Sequence, residues 1–202
     1  DGESHSLSFE KFDNVAFVKT YSADAQIPDS AGTMSAIMTG QKTRSGVVSV
    51  GPEFDRGDCE SVLKDSRTTI IEHAEKAGLK TGIITTARIT DATPAATYAH
   101  ASDRTWENDS KIPGVSTEKG CTDIANQLVV FSYGDGIDLA FGGGRSNFHA
   151  STTPDLEYSE LVGARTDGRD LINEWVTRGQ NRTFIWNLEQ FNNLSYSGQI
   201  LG

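Results

Sequence analysis

From residue 14 to residue 192, short β-prone apolar runs alternate with segments of helical spacing, joined by a few polar or glycine-rich residues. Parallel strands cannot be joined by a tight hairpin, so a chain with this alternation folds most simply as a parallel sheet with helices as crossovers. The predicted architecture is a three-layer α/β/α sandwich with a mostly parallel sheet. Its 202 residues make one domain, 1–202, the default.

Within that frame, residues 14–20 read as a strand with Val15, Phe17 and Val18 as its core side chains. Residues 30–39 follow as a helix of small residues, entered through Pro28 and Asp29 and left at Gly40. Thr69 and Glu72 form a capping-box pattern for a helix that Gly78 ends, and residues 79–85 read as a buried strand. A helix from Thr93-Pro94 to Ala99, another capped by Thr122 and reaching about residue 130, and a strand over 137–141 ending in Gly142 to Gly144 come next. The last third supplies a helix over 170–178, a strand over 183–186 and a short helix over 188–192. Residues 51–58 and 108–119 are rich in Gly, Pro, Asp and Ser and read as surface loops.

Acidic residues outnumber basic ones 28 to 18, for a net charge of -10, so a nucleic-acid backbone is a disfavoured partner. No apolar run approaches the roughly 20 residues needed to span a bilayer. Cys59 and Cys121 lack zinc-ribbon or redox spacing, which leaves two buried thiols or one long-range disulfide. Gly40-Gln41-Lys42-Thr43 departs from a P-loop, Ser61-Val62-Leu63-Lys64 lacks the companion motifs of penicillin-binding enzymes, and the triple glycine lacks dinucleotide-binding spacing. Asn108, Asn181 and Asn193 each open a glycosylation sequon.

Chemistry points to two stretches. Pro28-Asp29-Ser30-Ala31-Gly32-Thr33 places a hydroxyl at the start of a helix just after a strand, where free backbone N–H groups and the helix dipole attract phosphate. The plainer alternative is that Asp29 or Ser30 only caps the helix. The second stretch, Thr85 to Pro94, follows a strand, and strand ends are where open α/β sheets bind ligands. Asp91 and Thr93 there offer hard oxygens of the kind magnesium prefers, and would serve equally as a capping turn. Arg104, just beyond, carries a planar guanidinium able to grip two phosphate oxygens, though a loop arginine is more often a surface charge.

Together these segments resemble the alkaline phosphatases. The resemblance is carried by "KTYSADAQIPDSAGTMSAIMTGQKTRSGVVSVG" over residues 19–51, "AEKAGLKTGIITTARITDATPAATYAHASDR" over 74–104 and the weaker "LAFGGGRSNF" over 139–148. It implies that Ser30 is the nucleophile that becomes phosphoserine, that Asp29 orients the phosphate-binding Arg104, and that Asp91 and Thr93 hold magnesium. It implies zinc beside Ser30, phosphate monoesters as substrates, a periplasmic or secreted location, a homodimeric habit, and a disulfide between Cys59 and Cys121. The family's N-terminal aspartate-bearing strand and its C-terminal zinc ligands have no counterpart here, and His5, His73, His100 and His149 lack zinc-ligand spacing. The chain therefore reads as a partial alkaline phosphatase domain with little or no turnover by itself. Two rival readings are a phosphodiesterase or sulfatase of the same superfamily, and a phosphate-binding remnant without turnover.

Overall fold

The computed structural model describes residues 2–195 and 198–202. Four strands of the described residues form the sheet: β1 (Gly82–Arg88), β2 (Leu139–Gly143), β3 (Arg182–Phe184) and β4 (Gln199–Leu201), in the order β1-β2-β4-β3 with every neighbouring pair parallel. Among the described residues eight α-helices accompany them: α1 (Ser30–Thr39), α2 (Cys59–Asp65), α3 (Ile70–Lys76), α4 (Ala92–Ala95), α5 (Gly114–Glu118), α6 (Ile124–Val129), α7 (Leu171–Thr177) and α8 (Leu188–Asn192).

Register puts Ile83, Ala140, Leu201 and Phe184 side by side on one face. That face carries the main core, where they meet Ala31 and Met38 of α1, Ala92 and Ala95 of α4, Ile124 and Leu128 of α6, and Leu171, Ile172 and Trp175 of α7. Each such large side chain contributes about 1.5–3 kcal/mol on burial. The opposite face is touched by α8, whose Phe191 meets Phe141 edge-on at 6.1 Å, while Ile84 on the same face is 73% exposed. A second cluster gathers Trp106, Ile112 and Val62 around a disulfide between Cys59 and Cys121.

Local signals held where short-range chemistry decides. Thr69 and Glu72 complete the capping box of α3, and α1 and α8 span the residues expected of them. Other expectations are corrected. Residues 14–20 form no strand; they run as an exposed segment without regular structure, with Val15 84% and Val18 80% accessible, because β-prone residues need a pairing neighbour and no described strand offers one. The strand expected over 79–85 begins at Gly82 and alternates instead of being buried throughout, since β1 is an edge strand packed mainly on one face.

Helix α4 starts at Ala92, one residue before the expected Thr93, and α6 is capped by Asp123, whose Oδ1 accepts the Asn126 N–H at 2.8 Å, in place of Thr122. Strand β2 begins later than expected and runs into the glycines, and β3 ends at Phe184. The loop expected over 108–119 contains a 3-10 turn, Asp109–Lys111, and α5. Strand β4 is absent from the sequence reading: three residues are too few to show a period, yet it sits inside the sheet between β2 and β3.

Candidate active site

Helix α1 begins where it does because Asp29 is extended (φ -109°) and its Oδ1 accepts the Gly32 N–H at 3.0 Å. It ends where Gly40 turns into the left-handed region (φ 74°). Ser30 is thus the first helical residue, with its hydroxyl at the positive end of the helix dipole. At the end of β1, Asp91 plays the same part for α4, its Oδ1 accepting the Ala92 N–H at 2.7 Å.

Arg104 joins the two helix entrances. Its Nη1 donates to Ser30 Oγ at 2.8 Å and to Asp29 Oδ2 at 3.0 Å, and its Nη2 donates to Asp91 Oδ1 at 3.0 Å. Its backbone N–H is anchored on the Gly46 carbonyl at 2.8 Å, and Gly46 N–H donates to Asp29 Oδ2 at 3.1 Å. The guanidinium is therefore held at both ends by carboxylates and presented to the serine oxygen. Thr93 lies exposed in the first turn of α4, two residues from Asp91.

Burial alone would raise the Asp29 carboxyl, but the N–H groups of Gly32 and Gly46 and the Arg104 guanidinium outweigh it and hold it below the usual range. For Asp91, burial is likewise outweighed by the Ala92 N–H and by Arg104 and Arg88. Both carboxylates are charged at neutral pH. Arg88, which no sequence motif above singles out, pairs with Glu107 at 2.7 and 2.8 Å and lies 3.8 Å from Asp91 Oδ2. A basic residue at a strand's carboxyl end, three before the acidic helix cap, is the signal that could have found it.

Among the described residues no group of three or more His, Cys, Asp and Glu side chains converges as a metal cage. His5 and His73 are exposed, His100 pairs with Glu72 at 2.7 Å, and His149 is buried with Asp170 3.4 Å away. No described helix is long and apolar enough to cross a membrane. A cavity of about 550 Å³ opens elsewhere on the strand ends, between Gly142 to Gly144, Tyr158 and Trp186. Its lining does not include Ser30, Asp91 or Arg104, so the converging polar groups lie outside it.

The alkaline phosphatase family model matches residues 1–202. Among characterised proteins, the chain is 40% identical over 191 residues to the alkaline phosphatase of Gadus morhua, covering 92% of this chain and 40% of that one. It is 40% identical over 192 residues to the tissue-nonspecific isozyme of Homo sapiens, covering 92% and 36%. Among solved structures, the alkaline phosphatase of the Antarctic bacterium TAB5 superposes with a TM-score of 0.67 at 24% identity, over 98% of this chain and 46% of that one. A variant of that protein with Mg bound gives 0.66 at 24% identity, over 98% and 45%. The chain thus spans less than half the length of these relatives. A family match along its whole length, with a parallel α/β fold shared with solved members, shows that this chain belongs to the alkaline phosphatase family.

Proposed function

We propose that the chain carries the nucleophile and phosphate-gripping parts of a metal-dependent phosphomonoesterase that works through a phosphoserine. The observation that supports this most is the 2.8 Å contact between Arg104 Nη1 and Ser30 Oγ, made by a guanidinium clamped between Asp29 and Asp91. In this reading Ser30 Oγ attacks phosphorus, a bond from serine oxygen to phosphorus forms, the ester bond to the leaving oxygen breaks, and the serine proton ends on the released alcohol. Water then cleaves the phosphoserine. Arg104 binds the non-bridging oxygens, and the start of α1 adds the field of its free N–H groups. Asp29 does not react; it orients Arg104 and caps the helix.

Asp91 and Thr93 supply hard oxygens that suit magnesium in kind, and would hold it together with further donors, since magnesium takes about six ligands. Zinc beside Ser30, when bound, would favour the alkoxide at neutral pH. The described residues offer no cage for it. The disulfide supports an oxidising location, periplasmic or secreted.

The test is to incubate the full-length protein carrying this chain with an aryl phosphate, zinc and magnesium, quench in acid and map the phosphoryl group by mass spectrometry. The expected result is a label on Ser30, none on the S30A variant, and weakened uptake of inorganic phosphate by R104A. A label that persists in S30A would overturn the assignment. A preference for diesters over monoesters would overturn the substrate class.

A further inference from the structure

Arg56 lies in the loop that leads to α2 and closes on Asp103 with a two-pronged ion pair, Nε to Oδ2 and Nη2 to Oδ1, both at 3.0 Å. Asp103 immediately precedes Arg104. The next residue of the loop, Gly57, donates its N–H to the Ser102 carbonyl at 2.8 Å. Two consecutive loop residues therefore grip the two residues in front of the phosphate-gripping arginine.

The other side of the same guanidinium lies against Gly46. A Cβ placed on Gly46 would stand 2.5 Å from Arg56 Cζ, and its φ of 78° also selects glycine. Gly46 carries two bonds of the site, its carbonyl holding the Arg104 N–H and its N–H holding Asp29. Arg56 thus backs both the turn that aims Arg104 and the backbone that fixes Asp29. Three residues further on, Cys59 ties the loop to Cys121. Burial of Asp103 would raise its carboxyl, yet Arg56 and Thr105 outweigh that and keep it charged.

We propose that Arg56 is a positioning residue for the phosphoryl site, setting the aim of Arg104 through Asp103 and Gly46 without touching phosphate. This rests on the reading of Ser30 and Arg104 as that site. A planar fork is required, because a lysine ammonium is a point charge that cannot hold both carboxylate oxygens and also lie flat against Gly46. Since Arg56 is 44% exposed, its pair with Asp103 contributes little to global stability, and its effect is local.

The experiment compares R56A and R56K with the unaltered full chain in three measurements: hydrogen exchange of backbone amides, affinity for inorganic phosphate, and melting temperature. R56A should bind phosphate about tenfold more weakly, the lower end of what losing an orienting partner costs. Its Arg104 and Gly57 amides should exchange faster, while amides of α7 and the melting temperature stay unchanged. R56K should recover less than half of the lost affinity. Unchanged exchange at Arg104 in R56A, a uniform loss of protection with a fall in melting temperature, or full rescue by R56K would each overturn the proposal. If the unaltered chain takes up no phosphate, the phosphoryl-site reading fails, while exchange at the Arg104 amide still judges the brace.

Discussion

Replacing Asp29 with alanine removes three things at once: the N-cap of α1, the acceptor for Gly46 N–H and one of the two carboxylates holding Arg104. Loss of an Asp cap costs about 1 kcal/mol. A polar group stripped of its partner costs about 1–3 kcal/mol when buried. The Asp29 side chain is 23% exposed and that of Arg104 27%, so water re-solvates part of the site and the lower end of that range applies. The D29A variant should therefore lose about 2–4 kcal/mol, a sizeable part of the roughly 5–15 kcal/mol that holds a domain together. D29N, which caps nearly as well but carries no charge, should lose about 1 kcal/mol.

Urea unfolding at constant slope measures these losses, and a double-mutant cycle with R104A should return a coupling of about 1–2 kcal/mol. The pH dependence follows from the depressed Asp29 carboxyl. Its contribution is present above the unfolded value of 3.8 and is lost as pH falls through the lower folded value, so the gap between wild type and D29A should close in acid. If D29A falls within about 0.5 kcal/mol of wild type, or D29N is as damaging as D29A, the three-way role assigned to this carboxylate is wrong.

Two further outcomes are expected. The Cys59 to Cys121 disulfide closes a separation of 62 residues, so the C59S/C121S variant should lose about 4 kcal/mol in the chain-entropy account, and a loss below about 1 kcal/mol in urea unfolding would contradict it. Burial would lower the pKa of His100, but Glu72 and the Ser49 carbonyl outweigh it and raise the group above 6.5. Its stabilisation is therefore complete below 6.5 and lost as pH rises through the folded value, so wild type should lose stability relative to H100Q on going alkaline; a gap that stays flat across that range would refute the pairing.

Sequence alone determined the features whose physics spans only a few residues. Asp29 before small helix-forming residues and Gly40 after them fixed α1, and with it the seat of Ser30; Thr69 and Glu72 fixed the start of α3 in the same way. The alternation of runs sufficed for a parallel α/β fold, because the crossover requirement is a matter of connectivity. The tertiary structure decided what depends on partners distant along the chain. It left Val15, Phe17 and Val18 exposed although their propensity is for a strand, since a strand exists only where another backbone accepts its hydrogen bonds. It made the three residues of β4 a central strand by supplying neighbours on both sides. It also brought Arg104 across 74 residues of sequence to Ser30, and Arg56 across 47 to Asp103. No local pattern encodes those contacts: a guanidinium's partner is set by where the sheet and its loops place the carboxylates, and that placement is a property of the packed chain.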